Sequence, residues 1–516
     1  MPASIDQPAL ANTRKYVICL IAGGVLTLAF APFNYFFAAI ISPAVLFYCW
    51  SRSTARAAFV CGYLYGLGLF GTGINWLHVS INMFGGVNLA GALSLTYLMV
   101  AYFALYPALA GYLSRKIPCH ESVWLLGTVP ALWTLTEWCR SWIFPGSPWL
   151  ILGYSQTDTA LGAIAPLLGV YGIGWLVCMN AALLVMVYQA PRTGKVIAVA
   201  VLAGIWATAA LLGKKDWTAP AGDEFRVALI QPSVKQSLKW EPGQQQRTVD
   251  LQMALSDPYW GYKFIIWPET AIPMFYHQAL TTIEKLQALA VTHKTEFITG
   301  IPFMDLESKN YFNSIMVIGG KPDIYHKRHL VPFGEYLPLN RWLRPLLDFI
   351  QIPMSEFSAG SAVQPLIHAG GIPIGVSICY EDVFGEEVIE ALPEAQLLLN
   401  VSNDAWFGDT LAPHQHLQMA RMRAMETGRY MLRATNNGIS AIIDEKGRIV
   451  AQLPQFDPRA LTGKARLFSG STPYVIYGNI TIVSLCLLVL VIAVMLAKAD
   501  LLPTFRERKS ENLLPP

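Results

Sequence analysis

Eight strongly apolar segments divide this chain, and seven of them lie before residue 215. An α-helix needs about 20 apolar residues to cross the hydrocarbon core of a bilayer. The segments cover residues 14–31, 34–51, 57–79, 87–113, 122–143, 161–190, 196–213 and 476–498. We therefore predict a multi-span α-helical membrane bundle of about eight helices.

The composition supports a membrane protein. Hydrophobic residues make up 54% of the chain and charged residues only 14%, whereas a soluble domain carries roughly 25% charged residues. The net charge of +3 is close to neutral, so it gives no indication of nucleic-acid binding. We expect the bilayer, and no nucleic acid, to be a partner of this chain.

Basic residues are concentrated in alternate loops between the apolar segments. Loops rich in Lys and Arg stay on the cytoplasmic side. The cations concerned are Arg14, Lys15, Arg52, Arg56, Arg115, Lys116, Arg192, Lys195, Lys498, Arg506, Arg508 and Lys509. Both termini are therefore predicted to be cytoplasmic, and the stretch 215–475 to face the other side, which is the periplasm if the host is a Gram-negative bacterium. The predicted domains are a membrane domain at 1–214, a periplasmic domain at 215–475, and a last helix with a cytoplasmic tail at 476–516.

The polar stretch 215–475 shows alternating strand and helix patterns. Helix-like stretches cover 277–292 and 414–429, and short β-branched or apolar runs recur between glycine and proline residues. The runs are 227–231, 264–267, 297–301, 314–318, 374–379, 397–401 and 439–443. About 260 residues suffice for one large domain, so we predict an α/β fold.

Three reactive residues each follow a predicted strand of this domain. Glu269 follows Trp-Pro, Lys327 stands in Tyr-His-Lys-Arg-His together with the nearby Glu335, and Cys379 precedes Tyr-Glu-Asp. Cys379 is the only cysteine in 215–475. A carboxylate, an amine and a thiol at strand ends can meet at one edge of a sheet, so we expect them to form one site.

Such a trio can carry out acyl transfer. A thiol with a pKa near 8.5 is mostly protonated at neutral pH, and a neighbouring Glu can accept its proton during attack. A Lys can stabilise the oxyanion on the attacked carbonyl, together with the backbone N–H of Tyr380. Taken singly, Glu269 also fits a helix cap, and Lys327 with Glu335 fits a surface ion pair.

The order Trp-Pro-Glu, Tyr-His-Lys, Cys-Tyr-Glu resembles the Glu-Lys-Cys pattern of the nitrilase, or carbon–nitrogen hydrolase, superfamily. With the apolar segments, and with the runs at 330–338 and 403–408, the chain resembles the family of bacterial apolipoprotein N-acyltransferases. The resemblance implies a four-layer αββα sandwich on a membrane bundle. It implies Glu269 as general base, Lys327 as oxyanion-stabilising residue and Cys379 as nucleophile. Supporting or substrate-binding roles would fall to Trp240, Glu335, Tyr380 and Glu381.

The resemblance also implies a ping-pong reaction. Cys379 would take an acyl chain from a glycerophospholipid as a thioester. The α-amine of the S-diacylglyceryl-cysteine at an apolipoprotein N-terminus would then accept the chain as an amide. We expect no cofactor and no metal; His414 and His416 do not share a helix face, so surface or packing roles are favoured for both.

Two other functions remain open from the sequence. A membrane-tethered nitrilase or amidase would use the same trio with water as the acceptor. A transporter or lipid-binding receptor would carry several intramembrane charges, and the segments contain one acid, Glu137. Glu137 is interpreted as a functional acid or as a structural partner of Arg140, and the aromatic loop 142–154 as an interfacial belt or a lipid entrance.

Overall fold

The structure is a computed structural model that describes residues 7–144, 146–241, 243–336 and 357–511. For residues 7–11 and 498–511 it describes the backbone only. Parts of three predictions lie outside the described residues. They are Leu337 and Pro338 of the second motif, Pro145 of the aromatic loop, and the side chains of Lys498, Arg506, Arg508 and Lys509.

Helices occupy every segment that the sequence predicts to cross the membrane. The first nine are α1 (Gln7–Leu26), α2 (Ala38–Ser51), α3 (Ala55–Gly73), α4 (Leu77–Phe84), α5 (Leu89–Ser114), α6 (Glu121–Val123), α7 (Val129–Arg140), α8 (Ala165–Gln189) and α9 (Arg192–Leu212). The later helices among the described residues are α10 (Gln236–Lys239), α11 (Gln244–Ser256), α12 (Leu280–His293), α13 (Gly385–Ile389), α14 (Ala412–Thr427), α15 (Pro473–Tyr477) and α16 (Ile480–Glu511).

Four of the described helices are long and apolar enough to span a bilayer by themselves. They are α5, α8 with the preceding turn, α9, and the 480–497 part of α16. The pair α3 and α4 meets the same test together but bends by 55°, and α2 is apolar but shorter. The number of spans therefore stays a prediction.

Helix α8 is broken at Gly169. Its φ of 64° and ψ of −173° lie outside the helical region, in a part of conformational space that is essentially restricted to glycine. A Cβ at this position would overlap the ring of Tyr474 in α15. After the break, the N–H of Val170 donates to Glu426 of α14 at 2.8 Å, so a carboxylate from another part of the chain caps the restarted helix.

The two ends of the helical part have different surroundings. At one end, Lys15 Nζ lies 3.0 Å from Ser53 Oγ, and Arg115 Nε lies 3.2 Å from the Ser53 carbonyl. Three of the basic loops therefore meet at this end. At the other end, Gly73 accepts from Gln415 at 3.0 Å, and Gly146 accepts from Tyr380 at 3.1 Å. The α/β part is thus attached at the end opposite to the basic loops.

The described residues of the α/β part form two six-stranded sheets and a small two-stranded one. Their strands are β1 (Ala219–Pro220), β2 (Phe225–Gln231), β3 (Phe264–Ile266), β4 (Glu296–Met304), β5 (Tyr311–Ile318), β6 (Asp323–His326), β7 (Ile367–Ala369), β8 (Ile372–Ile378), β9 (Leu397–Ser402), β10 (Met431–Thr435), β11 (Ala441–Ile443), β12 (Ile449–Gln452), β13 (Arg459–Ala465) and β14 (Phe468–Ser469). The large sheets have the orders β13-β2-β3-β4-β5-β6 and β12-β11-β10-β9-β8-β7.

The large sheets pack face to face, with helices outside. Val227 and Phe264 of one sheet share a buried core with Ile378 and Val401 of the other. Helices α11 and α12 pack on the outer face of the first sheet, and α14 packs on the outer face of the second. The predicted αββα sandwich is therefore present, because each sheet buries apolar side chains on both faces.

Helix α14 is buried on two sides. Leu417, Ala420 and Ala424 pack on the second sheet, whereas Met419 and Met422 join the apolar core of the membrane-type helices. The helix is thus the layer shared by the two parts of the molecule.

The Gly169 break generates a stability prediction. Gly169→Ala should lower the free energy of unfolding by about 1–3 kcal/mol, because alanine is strained at this φ and ψ and its Cβ meets the Tyr474 ring. Thermal unfolding in detergent measures the change. Gly204→Ala in α9 is the matched control, since a Cβ there meets nothing within 4 Å. An equal effect of the two substitutions would contradict the prediction.

Candidate active site

Glu269 lies in the turn that follows β3. Pro268 accepts a hydrogen bond from the Gly300 N–H at 3.2 Å, and a Cβ on Gly300 would overlap the backbone of Thr270. Glycine is therefore needed in β4 to let the Glu269 turn approach. The Glu269 carboxylate is 7% exposed and accepts from Asn313 Nδ2 at 2.7 Å.

Lys327 follows β6 directly. Its N–H donates to the Asn313 carbonyl at 2.7 Å, and its carbonyl accepts from Gly360 at 2.8 Å. The side chain is 1% exposed, and its Nζ lies 2.8 Å from Glu335 Oε2 and 3.9 Å from Glu269 Oε1. One buried amine therefore stands between two carboxylates.

Glu335 and Asn313 complete this charged group. Glu335 accepts from the Val331 N–H at 2.8 Å, and Asn313 Nδ2 lies 3.3 Å from Glu335 Oε1 as well as close to Glu269. The structure thus brings together Glu269, Lys327 and Glu335. Lys327 and Glu335 form no surface ion pair, because the lysine is buried.

Cys379 begins a short turn, here called the cysteine turn (Cys379–Val383), that follows β8. Its φ of 52° is left-handed, which is uncommon for a residue with a side chain. The carbonyl of Cys379 accepts from Asn400 Nδ2 at 3.2 Å and lies 3.2 Å from His416 Nε2. The conformation therefore has specific support from β9 and α14, and it leaves the residue partly exposed.

The charges of the site act on one another. Burial raises the pKa of the Cys379 thiol, Glu269 raises it further, and Lys327 opposes the rise. Burial likewise raises the pKa of Glu269, against the attraction of Lys327. For Lys327, burial lowers the pKa, but Glu335 and Glu269 outweigh burial and raise it overall. At neutral pH the amine is therefore charged and the resting thiol protonated.

Glu381 ties the cysteine turn to the lysine segment. Its Oε2 accepts from the Ile378 N–H at 2.7 Å. Its Oε1 accepts from the backbone N–H groups of Arg328 at 2.7 Å and His329 at 3.1 Å, and from the Tyr325 hydroxyl at 3.0 Å. A side chain that is 3% exposed thereby fixes Cys379 relative to Lys327.

Tyr380 faces the membrane-type helices. Its hydroxyl donates to the Gly146 carbonyl at 3.1 Å, and its ring stacks on Trp149 with a centroid distance of 6.4 Å. Arg140 donates to the Trp149 carbonyl at 2.7 Å, and Glu137 accepts from the Leu152 N–H at 3.0 Å. Each of these two charged residues holds the aromatic loop, and part of that loop borders the site.

Trp240 is 36% exposed at the end of α10, and its neighbour Lys239 makes the contact with the site. Lys239 is 2% exposed, and its Nζ donates to the Glu269 carbonyl at 3.1 Å and to Thr270 Oγ1 at 2.5 Å. Burial lowers the pKa of Lys239 to about 8, although Glu269 opposes this. The sequence patterns did not single out Lys239, because one lysine in a polar run gives no periodic signal.

A buried ionic group under the cysteine turn was also missed. His416 Nε2 lies 2.7 Å from Asp382 Oδ1, and its Nδ1 lies 3.2 Å from Asp404 Oδ1. Arg433 reaches the other oxygens of both aspartates at 3.3 and 3.2 Å. All four residues are at most 2% exposed. His416 therefore has an ionic role inside the fold, while His414 is partly exposed.

Two family models match the two parts of the chain. The carbon–nitrogen hydrolase family model matches residues 226–466, and the model of the apolipoprotein N-acyltransferase N-terminal domain matches residues 22–183. A Saccharomyces cerevisiae structure from branch 10 of the nitrilase superfamily aligns with a TM-score of 0.37 and 18% identity, over 48% of this chain and 93% of that one.

Whole-chain relatives carry a single family name. The apolipoprotein N-acyltransferase of Methylococcus capsulatus is 46% identical over 92% of this chain and 94% of its own length. That of Vibrio cholerae is 41% identical over 88% of this chain and 92% of its own. On this identity and coverage, the chain belongs to the apolipoprotein N-acyltransferase family, whose catalytic domain has the carbon–nitrogen hydrolase fold.

Proposed function

We propose that this chain moves an acyl chain from a membrane glycerophospholipid, through a thioester on Cys379, to the N-terminal S-diacylglyceryl-cysteine of an apolipoprotein. The main observation behind this proposal is a buried cluster in which the Lys327 amine lies between Glu269 and Glu335. Lys327 and Glu269 both shift the pKa of the Cys379 thiol, in opposite directions. Family membership favours this transfer over hydrolysis.

In the proposed first step, the thiol sulfur attacks the ester carbonyl of the phospholipid. Because burial keeps the thiol protonated at neutral pH, its proton has to leave during the attack. Glu269 takes it, and the raised pKa of this carboxyl brings its proton affinity closer to that of the thiol. A C–S bond forms, the ester C–O bond breaks, and Glu269 returns the proton to the glycerol oxygen as lysophospholipid leaves.

Negative charge develops on the attacked carbonyl oxygen. We assign its stabilisation to Lys327 Nζ and the backbone N–H of Tyr380. Lys327 retains its charge because Glu335 and Glu269 outweigh the effect of burial on its pKa. A preorganised charge in a site of low water content stabilises the transition state more than it would in bulk water. Glu335 orients the amine, which it approaches at 2.8 Å.

In the second step, the α-amine of the acceptor attacks the thioester. A C–N bond forms and the C–S bond breaks, while Glu269 passes a proton from the amine to the leaving sulfur. The proposed steps need no metal or cofactor. Tyr380 and Trp240 are proposed to contact the acyl or acceptor groups, since both are at least partly exposed, whereas the buried Glu381 holds the turn.

The proposed setting is a bacterial inner membrane. We divide the chain into a membrane domain at 1–214, a periplasmic catalytic domain at 215–475, and a last span with a cytoplasmic tail at 476–516. The clustering of Lys15 and Arg115 around Ser53, at the end away from Tyr380, supports this orientation.

Donor alone should leave an acyl group on Cys379. Incubation with phospholipid but no acceptor should give about one equivalent of lysophospholipid and a matching mass increase on the Cys379 peptide, because the covalent step precedes acceptor attack. Intact-mass and peptide mass spectrometry measure both. Cys379→Ser should give neither product, while Cys139→Ser should behave as wild type. Continuous lysophospholipid release without acceptor would instead indicate the hydrolase.

Lys327→Arg should fail almost as badly as Lys327→Ala in forming the thioester. A guanidinium keeps the charge but is planar and presents its donors in a fixed fork, and Lys327 is 1% exposed between two carboxylates. We expect a loss of about 10²–10³ in acylation rate. Lys321→Arg, at an exposed position, is the control. A Lys327→Arg enzyme that acylates near the wild-type rate would remove Lys327 from the mechanism.

The orientation can be tested with reporters. Alkaline phosphatase inserted in the exposed turn at 305–310 should be active, because that turn is proposed to lie in the periplasm. A green fluorescent protein fused after residue 516 should be fluorescent, because the C-terminus is proposed to be cytoplasmic. Acyl-transfer assays of both fusions serve as the folding control. The opposite pair of signals would overturn the proposed topology.

A further inference from the structure

We infer that His416 is a positioning residue for acyl transfer, because it helps to aim the backbone N–H of Tyr380 at the developing oxyanion. The inference rests on the proposed function, in which that N–H is one of the two oxyanion donors. It concerns a side chain that the proposed mechanism otherwise leaves unused.

The geometric argument begins with one peptide group. The carbonyl of Cys379 and the N–H of Tyr380 belong to the same peptide unit, which is planar and trans, so the two bonds point in opposite directions. The Tyr380 N–H lies at the start of the cysteine turn, which is one short helical turn. No carbonyl within that turn is available to accept a hydrogen bond from it. Whatever holds the Cys379 carbonyl therefore also sets the direction of this free N–H.

Two buried side chains hold that carbonyl. Asn400 Nδ2 donates to it at 3.2 Å, and His416 Nε2 lies at 3.2 Å. His416 Nε2 is also 2.7 Å from Asp382 Oδ1. A carbonyl and a carboxylate only accept hydrogen bonds, so His416 Nε2 carries a hydrogen that is shared between them.

Both donors are themselves fixed by buried charge. Arg433 donates to Asn400 Oδ1 at 2.5 Å, which directs the Asn400 amide nitrogen toward the Cys379 carbonyl. Asp404 lies 3.2 Å from His416 Nδ1 and is reached by Arg433 at 3.2 Å. The donors cannot turn away without breaking buried hydrogen bonds to charged groups, so the peptide group is held in one orientation despite the left-handed φ of Cys379.

The test separates oxyanion stabilisation from the integrity of the turn. Acylation by phospholipid passes through an oxyanion, whereas alkylation of the thiol by iodoacetamide displaces iodide at a saturated carbon and forms none. His416→Leu should lower the rate of thioester formation by about 10–100-fold. This is less than the loss expected when an oxyanion donor is removed altogether, because Asn400 still holds the Cys379 carbonyl. The iodoacetamide rate at the Cys379 peptide should change by less than about threefold, since no oxyanion donor takes part in it.

Two conservative variants test the geometry if the Leu variant does not accumulate. The amide nitrogen of Gln can occupy the position of His Nε2, and that of Asn the position of Nδ1. His416→Gln should retain most of the acylation rate and His416→Asn should lose it. His414→Leu, at a partly exposed position, is the matched control and should act as wild type.

The outcomes are distinct. Parallel losses of acylation and alkylation in the His416 variants, equal effects of Gln and Asn, or unchanged acylation in His416→Leu would each overturn the inference. A wild-type enzyme that forms no acyl adduct on Cys379 would instead overturn the proposed function.

Discussion

The site depends on the buried positive charge of Lys327, which two carboxylates share. Lys327 can be almost fully removed from water only because Glu335 lies at 2.8 Å and Glu269 at 3.9 Å, since a buried charge without a partner is strongly destabilising. This requirement brings together the end of β3, the residue after β6 and the segment that carries Glu335. The proposed chemistry follows from the same constraint, because the two carboxylates keep charged the amine that acts electrostatically on the Cys379 thiol.

The cysteine turn is placed relative to this charge by buried hydrogen bonds. Glu381 connects the backbone of Ile378 with that of Arg328 and His329. On the other side, the Tyr380 hydroxyl bonds to Gly146. The cysteine turn thus lies between the buried charged cluster and the apolar helices, which suits the proposed substrate with its polar ester and long hydrocarbon chains.

Much of the proposed catalytic machinery could be recognised from the sequence, because two of its residues follow apolar strands. Glu269 and Cys379 follow the apolar strands β3 and β8, so the polarity changes sharply at both, whereas Lys327 follows β6, which contains Asp323 and His326, and was recognised by its motif. The network of Asp382, Asp404, His416 and Arg433 could not be recognised in this way. Its members are buried polar residues on a turn, a helix and a central strand, and only tertiary packing brings them together.

Tertiary packing also explains where the observed strands and helices differ from the predicted ones. Strands β2, β3, β4, β5, β8, β9 and β11 were predicted from apolar runs, within a few residues at their ends. Strand β10 was missed because it contains the buried Arg433, and β13 because three of its seven residues, Arg459, Thr462 and Lys464, are exposed and polar. The apolar segment at 57–79 became α3 and part of α4 with a 55° bend, since hydropathy alone does not report where a helix changes direction.

The burial of helix α14 limits how the two parts of this protein can be separated. Fourteen of its sixteen residues are buried, and Met419, Met422 and Met425 pack into the core of the membrane-type helices. A catalytic domain cut away from those helices would expose this row of methionines together with Trp406 and Phe407, which pack on Phe84 and Trp76. Such a fragment would expose a continuous apolar surface to water and would self-associate. In this chain the carbon–nitrogen hydrolase domain therefore depends on the membrane-type helices to cover its apolar surface.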